Sequence, residues 1–288
     1  MIARYLCLLS LFLISVPAFS QEKQAANQPL KILLVAGGCC HDYAGQTKAL
    51  KEGIESRINA VVTVEYNSSK GTNTRFDIYK SDDWAKGFDV ILHDECSASV
   101  TEKEYVNRIL AAHKSGIPAV NLHCAMHSYR WGDFRSPVKD GADNAGWYEM
   151  IGLQSTSHGP QSPIVVKFSD QKNPITKGMQ DWTTINEELY NNIRVMSTAT
   201  AIASGTQTQA PRKRDLKKNP NAKPKKASAV VAWTNLYGPN KTPIFSTTLG
   251  HNTETVKDAR YLELVIRGIL WTTGNLTEDG KPKAAYAK

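Results

Sequence analysis

Beyond its first twenty residues, the chain lacks any apolar run close to the ~20 residues that a membrane-spanning helix needs. It also lacks an internal repeat and any shift of composition that would mark a second domain. We therefore expect one large soluble domain over residues 30–275, followed by a flexible tail at residues 276–288.

Cysteine is scarce, with five in 288 residues, and none of them forms a CxxC pair. An even number, Cys39, Cys40, Cys96 and Cys124, follows the first twenty residues. An oxidising compartment would permit disulfides. Adjacent cysteines such as Cys39 and Cys40 do not usually bond each other, however, and small buried thiols are an equal expectation. The sequence leaves the disulfide state open.

The amino terminus has the pattern of a signal peptide. Arg4 precedes an apolar run at residues 6–16, and small residues around Ser20 suit cleavage there. The apolar run is too short for a transmembrane anchor. We predict a signal peptide at residues 1–20, a disordered leader at residues 21–29, and export to the periplasm or the medium.

Positive charge is concentrated in one segment. Residues 211–226 hold eight Lys or Arg against one Asp, which accounts for nearly all of the formal net charge of +8. The segment has no aromatic residue and no apolar periodicity, so it is expected to be a solvated loop. The absence of aromatics disfavours a nucleic-acid partner.

Strand and helix patterns alternate in the first half of the chain. Apolar strand-like runs lie at residues 30–36, 60–66, 88–93 and 117–122, with helix patterns at 46–58 and 102–113, the second capped by Thr101 and ended by Gly116. This alternation predicts an α/β fold with a doubly wound, mostly parallel sheet and helices on both faces.

The second half is less regular. We expect an irregular stretch at residues 129–162, strands at 163–168, 193–203, 227–234 and 243–249, and a helix at 255–273 that ends at Gly274. The basic segment then joins two strands.

Most histidines lie where predicted strands end. His41 and Asp42 follow the first strand, His123 ends the fourth, and His251 follows a late strand. Ligands of open α/β sheets bind at the carboxyl ends of the strands, so these side chains are candidates for catalysis, together with His158 of the irregular stretch. We interpret His93 as structural and His113 as a surface or capping residue.

Two other interpretations of the fourth strand end remain open. His123 and His127 are four residues apart and could share a metal, although no Glu follows the first histidine as in HExxH. The segment is also typical of a strand–elbow–helix that presents a nucleophile. If the strand ends at Leu122, the elbow residue is His123, which suits proton transfer, rather than Cys124.

Several motifs together resemble the ThuA-like (trehalose utilisation) family of the class I glutamine amidotransferase-like superfamily. They are HDY at 41–43, NLHCA at 121–125, NPITKGM at 173–179, EELY at 187–190, the stretch 230–252 and GILWTTGN at 268–275. The resemblance implies a flavodoxin-like fold and a role in the use of disaccharides, including 3-keto sugars. It places His123 where amidotransferases carry a cysteine, so glutamine hydrolysis is not implied.

The resemblance also implies further site residues. Glu188 would orient a histidine, as would Asp42, while Tyr190 and Asn252 would contact a sugar. The aromatic residues Trp131, Trp147 and Tyr148 are expected either to stack on sugar rings or to pack on the sheet.

We expect an exported enzyme that acts on a small sugar or glycoside by acid/base chemistry, with His123 as base and His251 or His158 as acid. The alternatives are a non-catalytic carbohydrate-binding module, a metal-dependent hydrolase that uses the same histidines, and a surface-binding protein that acts through the basic segment. No cofactor is required by the first hypothesis, no nucleic-acid or membrane partner is expected after signal cleavage, and a homo-oligomer is compatible with the sequence.

Overall fold

The computed structural model describes residues 28–169 and 171–288. The predicted signal peptide and all but the last two residues of the predicted leader lie outside the described residues. Within the described part of the chain, no helix has the length and apolar character needed to cross a membrane.

The described residues form one nine-stranded sheet in the order β2-β1-β3-β4-β9-β8-β7-β5-β6. The strands are β1 (Leu30–Gly38), β2 (Ala60–Asn67), β3 (Val90–Cys96), β4 (Ala119–Leu122), β5 (Leu153–Phe168), β6 (Trp182–Val195), β7 (Ala199–Gln209), β8 (Lys225–Tyr237) and β9 (Thr242–Thr247).

The sheet has a parallel half and an antiparallel half. Strands β2, β1, β3, β4 and β9 pair in parallel. From β9 onward, β8, β7, β5 and β6 pair antiparallel. The order β2-β1-β3-β4 is that of flavodoxin-like sheets. The predicted α/β fold is confirmed, and the sheet as a whole is mixed.

Helices cover both faces of the parallel half. They are α1 (Tyr43–Glu55), α2 (Lys103–Lys114), α3 (Gly146–Ile151), α5 (Thr253–Lys257) and α6 (Ala259–Thr272), whereas α4 (Lys213–Lys218) lies between β7 and β8. Residues of β1 alternate between two hydrophobic clusters, because successive side chains of a strand point to opposite faces. Leu34 packs with residues of α1 and α6, and Leu33 packs with residues of α2 and α3.

Two predicted helix boundaries differ from the structure. Helix α2 begins after Glu102 without a side-chain cap, so Thr101 does not cap it. The helix expected at 255–273 is two helices, because Asp258 leaves the helical conformation and its side chain accepts the Arg260 N–H.

The antiparallel half was the least predictable region. Strand β5 begins at Leu153, so the expected irregular stretch ends earlier and His158 lies in a strand. The strand expected at 193–203 is the end of β6 and the start of β7, joined by a turn at residues 196–198. Strand β6 lies at the sheet edge and carries many polar residues, so it has no apolar run that reveals it.

The carboxyl-terminal residues 276–288, expected to be a flexible tail, pack on the domain. Ala287 forms a bridge with Ile58, and Asn59 donates its backbone N–H to the Tyr286 carbonyl. Leu276 and Tyr286 are partly buried against the larger hydrophobic cluster. The closing segment thus covers the end of α1.

The expectation that adjacent cysteines do not pair is wrong here, since Cys39 and Cys40 form a disulfide. The chain leaves β1 through Gly37 and Gly38, both with positive φ, and Cys40 also has a positive φ. This turn brings the two sulfur atoms together. Cys96 and Cys124 are free and buried.

Candidate active site

Three histidines from separate strand ends meet at one edge of the sheet. The His41 ring lies 4.8 Å from the His123 ring and 4.7 Å from the His251 ring, measured between centroids. The His123 and His251 rings are 5.3 Å apart. Because β1, β4 and β9 run parallel, their carboxyl ends place these side chains together, as the sequence predicts.

His123 occupies the elbow that follows β4. The strand ends at Leu122, and His123 has a φ of 37°, a conformation that non-glycine residues seldom adopt. Its Nδ1 lies 2.6 Å from the Thr248 carbonyl oxygen. A carbonyl only accepts, so Nδ1 carries the proton, and Nε2 points toward the neighbouring carboxylate of Glu188. The side chain of His123 is only 2% exposed.

His41 and His251 are fixed to each other and to α1. His41 Nδ1 donates to the His251 carbonyl at 3.2 Å, and the Gln46 side-chain amide donates to the same oxygen at 3.1 Å. On its outer side, His251 Nε2 lies 2.7 Å from Gln161 Nε2, in hydrogen-bond contact with that side-chain amide.

Glu188 of β6 is the carboxylate at the centre of this cluster. Its oxygens lie 3.3 Å from His158 Nδ1, 3.3 Å from His251 Nδ1 and 3.6 Å from His123 Nε2. Glu188 itself is 6% exposed, whereas the His158 side chain is 45% exposed. The carboxylate thus joins two enclosed histidines to one that reaches solvent.

These contacts shift the pKa values of the cluster. Burial alone would raise the pKa of Glu188, but His123, His251 and His158 outweigh it and hold that pKa well below its ordinary value. Burial would likewise lower the pKa of His251, but Glu188 and Glu187 raise it above the ordinary value. Burial, with the neighbouring His123 and His251, lowers the pKa of His41 to about 3. The cluster therefore combines an ionised carboxylate at Glu188, a neutral imidazole at His41 and an imidazole with a raised pKa at His251.

The same three imidazoles have the spacing of a metal-binding group. One ring nitrogen each from His41, His123 and His251 lies within 4.8 Å of the other two. Among the described residues, buried His123 Nε2 and His251 Nδ1 have no well-formed hydrogen bond. The other ring nitrogens of His41 and His123 are held by backbone carbonyls, which is the usual support for histidine ligands.

The structure does not support the alternative in which His123 and His127 share a metal. His127 Nε2 hydrogen-bonds Ser155 Oγ at 2.9 Å, and its ring stacks on Tyr190 at 4.2 Å. The pair begins in a short 3₁₀ turn, not in an α-helix, so the two imidazoles do not share a face. Tyr190 is buried beside the cluster, with its ring 5.0 Å from that of His123.

Asp42 and Asn252 border the cluster without orienting its imidazoles. The Asp42 carboxylate caps α1 by accepting the Gly45 N–H and contacts the Thr253 hydroxyl at 3.2 Å, so the expectation that it orients a histidine is not met. The Asn252 side chain donates to the Asn186 carbonyl at 2.6 Å.

The sugar-stacking alternative is not supported for two of the three aromatic residues. Trp147 is 1% exposed and donates its indole N–H to the Ala125 carbonyl, while Tyr148 is equally buried. Trp131 is partly buried against the hydrophobic cluster of α2 and α3, and donates to Asp143. Trp147 and Tyr148 therefore offer no free face to a ligand, whereas sugar contact by the partly exposed Trp131 stays a prediction.

Comparison with known proteins gives the family. The sequence profile of ThuA, described as trehalose utilisation, matches residues 31–272. The chain belongs to the ThuA family. A search of curated proteins found no match.

Two solved ThuA-like proteins share the fold. One, from Parabacteroides merdae, has a TM-score of 0.59 at 18% identity and covers 86% of this chain and 92% of its own. Another, from Bacteroides uniformis, has a TM-score of 0.56 at 15% identity and covers 90% of this chain and 95% of its own. At these identities the likeness concerns the fold alone.

In this ThuA-family chain, sequence reasoning missed the residues that support the cluster. Glu187 is fully buried, and its carboxylate accepts the backbone N–H groups of His251 and Asn252 at 3.0 and 3.2 Å. Gln46 and Gln161 hold His251 from two sides. The one available signal was that Glu187 adjoins Glu188 within the EELY motif of the family.

Proposed function

We propose that this ThuA-family chain is an exported enzyme that processes a glycoside or 3-keto sugar by proton transfer at Glu188 and its histidines. The observation that carries the proposal is the contact of one buried carboxylate with His123, His158 and His251. Buried carboxylate–imidazole groups in a cleft are typical of acid/base sites. Family membership supports the carbohydrate as the substrate class.

In this proposal the imidazoles have separate roles. A keto group at C3 of a sugar acidifies the C2–H bond, and His123 Nε2 can accept that proton because Nδ1 is held by the Thr248 carbonyl. The electron pair then moves into an enolate on the C3 oxygen. Reprotonation gives an isomerised sugar, and expulsion of the C1 oxygen, protonated by His251 or His158, gives elimination of the glycosidic bond.

Replacing Glu188 tests this assignment. The Glu188→Gln variant keeps the size of the side chain but removes the charge that stabilises a protonated His251 or His158. We expect turnover of a panel of 3-keto and ordinary disaccharides, measured by product formation, to fall about 10²-fold or more. The matched control is Glu52→Gln, an exposed position on α1. Sugar binding by calorimetry with no product from the unaltered protein would instead support a binding module.

A second candidate, metal-assisted hydrolysis, is favoured by the distances around Glu188. Contacts of 3.3–3.6 Å are long for a charge-assisted hydrogen bond, which is about 2.8 Å. They match the separation of about 3.4 Å between ligand atoms that each lie about 2.1 Å from a tetrahedral zinc ion. His123, His251 and Glu188 would supply three ligands, and His41, with a ring nitrogen within 4.8 Å of the other two imidazoles, would supply the fourth.

Metal analysis distinguishes the two candidates. Elemental analysis of the purified protein, and calorimetric titration of the chelator-treated protein with Zn²⁺, would give about one metal per chain if the second candidate holds. His41→Ala should then abolish binding, while His113→Leu, at a buried histidine outside the cluster, should not. Sub-stoichiometric metal, with turnover unaffected by chelators, would eliminate the second candidate and leave proton transfer by His123.

A further inference from the structure

A cavity of about 500 Å³ lies between His158, the histidine of the candidate active site that reaches solvent, and the basic segment. Its wall includes His158 and Tyr190 from the site, and Arg212, Arg214 and Lys225 from the basic segment. This volume lies in the range of small-molecule sites. The segment that the sequence presents as a separate solvated loop therefore forms part of the surroundings of the site.

The basic segment is held against the site by backbone pairing and by one arginine. Strands β7 and β8 stay paired up to Gln209 and Lys225, which fixes the two ends of the segment side by side. Between them, α4 starts at Lys213, and the Arg212 guanidinium donates to the His158 carbonyl at 3.4 Å. His158 in turn contacts Glu188.

The charged side chains in the wall of this cavity are all positive. No Asp or Glu belongs to the described residues that form its wall, against two arginines and one lysine. The nearby Asp215 offsets only part of this charge, since its carboxylate lies 3.7 Å from Arg214 and accepts the backbone N–H of Arg212. The rest of the wall is rich in amides and hydroxyls, such as Asn191, Asn192 and Ser228, which suit sugar hydroxyl groups.

We infer that this cavity is a subsite for an anionic saccharide, whose carboxylate or sulfate group binds Arg212 and Arg214 while its sugar ring extends to His158. The inference rests on the proposed function and names its substrate class. Guanidinium groups bind carboxylate and sulfate through paired N–H donors, which a neutral sugar cannot match. Since both arginines are exposed, salt should weaken this selectivity.

Calorimetric binding at low salt tests the inference without requiring turnover. The probes are methyl glucuronide, methyl glucoside 6-sulfate and neutral methyl glucoside. We expect both anionic probes to bind about tenfold more tightly than the neutral one. The two anionic arms show whether the site selects carboxylate or sulfate.

Variants show whether the arginines cause the preference. The double variant R212Q/R214Q should reduce binding of the anionic probes by about fivefold to tenfold, at the scale of exposed ion pairs, and leave the neutral probe unchanged. The matched control K217Q/K218Q removes equal charge from α4 outside the cavity wall and should change neither.

Three results would overturn the subsite: equal affinity for charged and neutral probes, an equal loss in the control variant, or no binding of either anionic probe. Failure of the proposed function is a separate result. If the protein binds the anionic probes through Arg212 and Arg214 but converts no sugar, the subsite is supported and the proposed enzymatic activity is contradicted.

Discussion

Two adjacent glutamates, Glu187 and Glu188, have different roles in the candidate active site. Glu187 is fully buried and accepts two backbone N–H groups at the start of α5, so it fixes where His251 lies. Glu188 contacts imidazole side chains and raises the pKa of His251. Glu187 therefore positions the backbone, and Glu188 contacts the side chains proposed to transfer protons.

Glu187→Gln should lower the free energy of unfolding by about 1–3 kcal/mol. The NH₂ group of the glutamine side chain would face one of the two buried backbone N–H groups, which would then have no acceptor. Urea denaturation of the variant measures this. Glu52→Gln, exposed on α1, should stay within about 0.5 kcal/mol of the unaltered protein. A Glu187 variant as stable as that control would contradict the positioning role.

For single residues, the sequence predicted the site residues that follow parallel strands and missed those that join the site only through side-chain contacts. His41, His123 and His251 were placed together because each follows a parallel strand. Glu188 came only from the family motif, and Gln161 was not found, because both lie in polar parts of the antiparallel strands β5 and β6. The role of Trp147 was left open between sugar stacking and packing, because sequence alone does not distinguish a core indole from an exposed one.

At the scale of elements, the site depends on the contact between α6 and the parallel strands. Gly268 of α6 faces Phe245 of β9, and a Cβ at Gly268 would lie only 2.3 Å from the Phe245 ring. Strand β9 leads directly to Thr248 and His251. The close approach of helix and strand therefore helps to fix the elbow and its hydrogen-bond partner.

Gly268→Ala should destabilise the protein by about 1–3 kcal/mol through overpacking. The same substitution in a Phe245→Leu background should cost less, because the smaller side chain leaves room for the methyl group. Thermal or urea unfolding of the four proteins gives the coupling between the two positions. An equal cost of Gly268→Ala in both backgrounds would show that this contact does not limit the packing.

The elements also show where sequence patterns succeed. Strands β1, β3, β4 and β9 are buried on both faces, and all five strands of the parallel half appear as apolar runs, so alternation with helices revealed this half. Strand β6 has one exposed face, lies at the edge and is irregular in its pairing with β5 near His158. Its residues near the candidate site are polar, so the sequence pattern does not reveal the strand.

For the whole molecule, buried histidines make stability depend on pH. His113, expected at the surface, is fully buried between His93 and the Ile117 carbonyl. Burial and His93 lower its pKa to about 3, so it stays neutral in the folded protein. An unfolded histidine takes up a proton near pH 6.5. Stability is therefore lost as pH falls from about 6.5 toward 3.

His113→Leu should reduce the slope of unfolding free energy against pH between about 4 and 6 by nearly one proton, or about 1.4 kcal/mol per pH unit. The slope, measured by urea denaturation at several pH values, is the readout, because absolute stability also changes when His93 loses its partner. Identical slopes in the variant and the unaltered protein would contradict a neutral buried His113.

The most direct test of the central claim follows a proton at the site. The unaltered protein, incubated with a 3-keto-disaccharide in D₂O, should exchange the hydrogen at C2 for deuterium, as observed by NMR. His123→Ala should slow this exchange by about 10²–10⁴-fold, the usual contribution of a positioned base. Absence of C2 exchange in the unaltered protein, or an equal rate in the variant, would contradict proton transfer by His123.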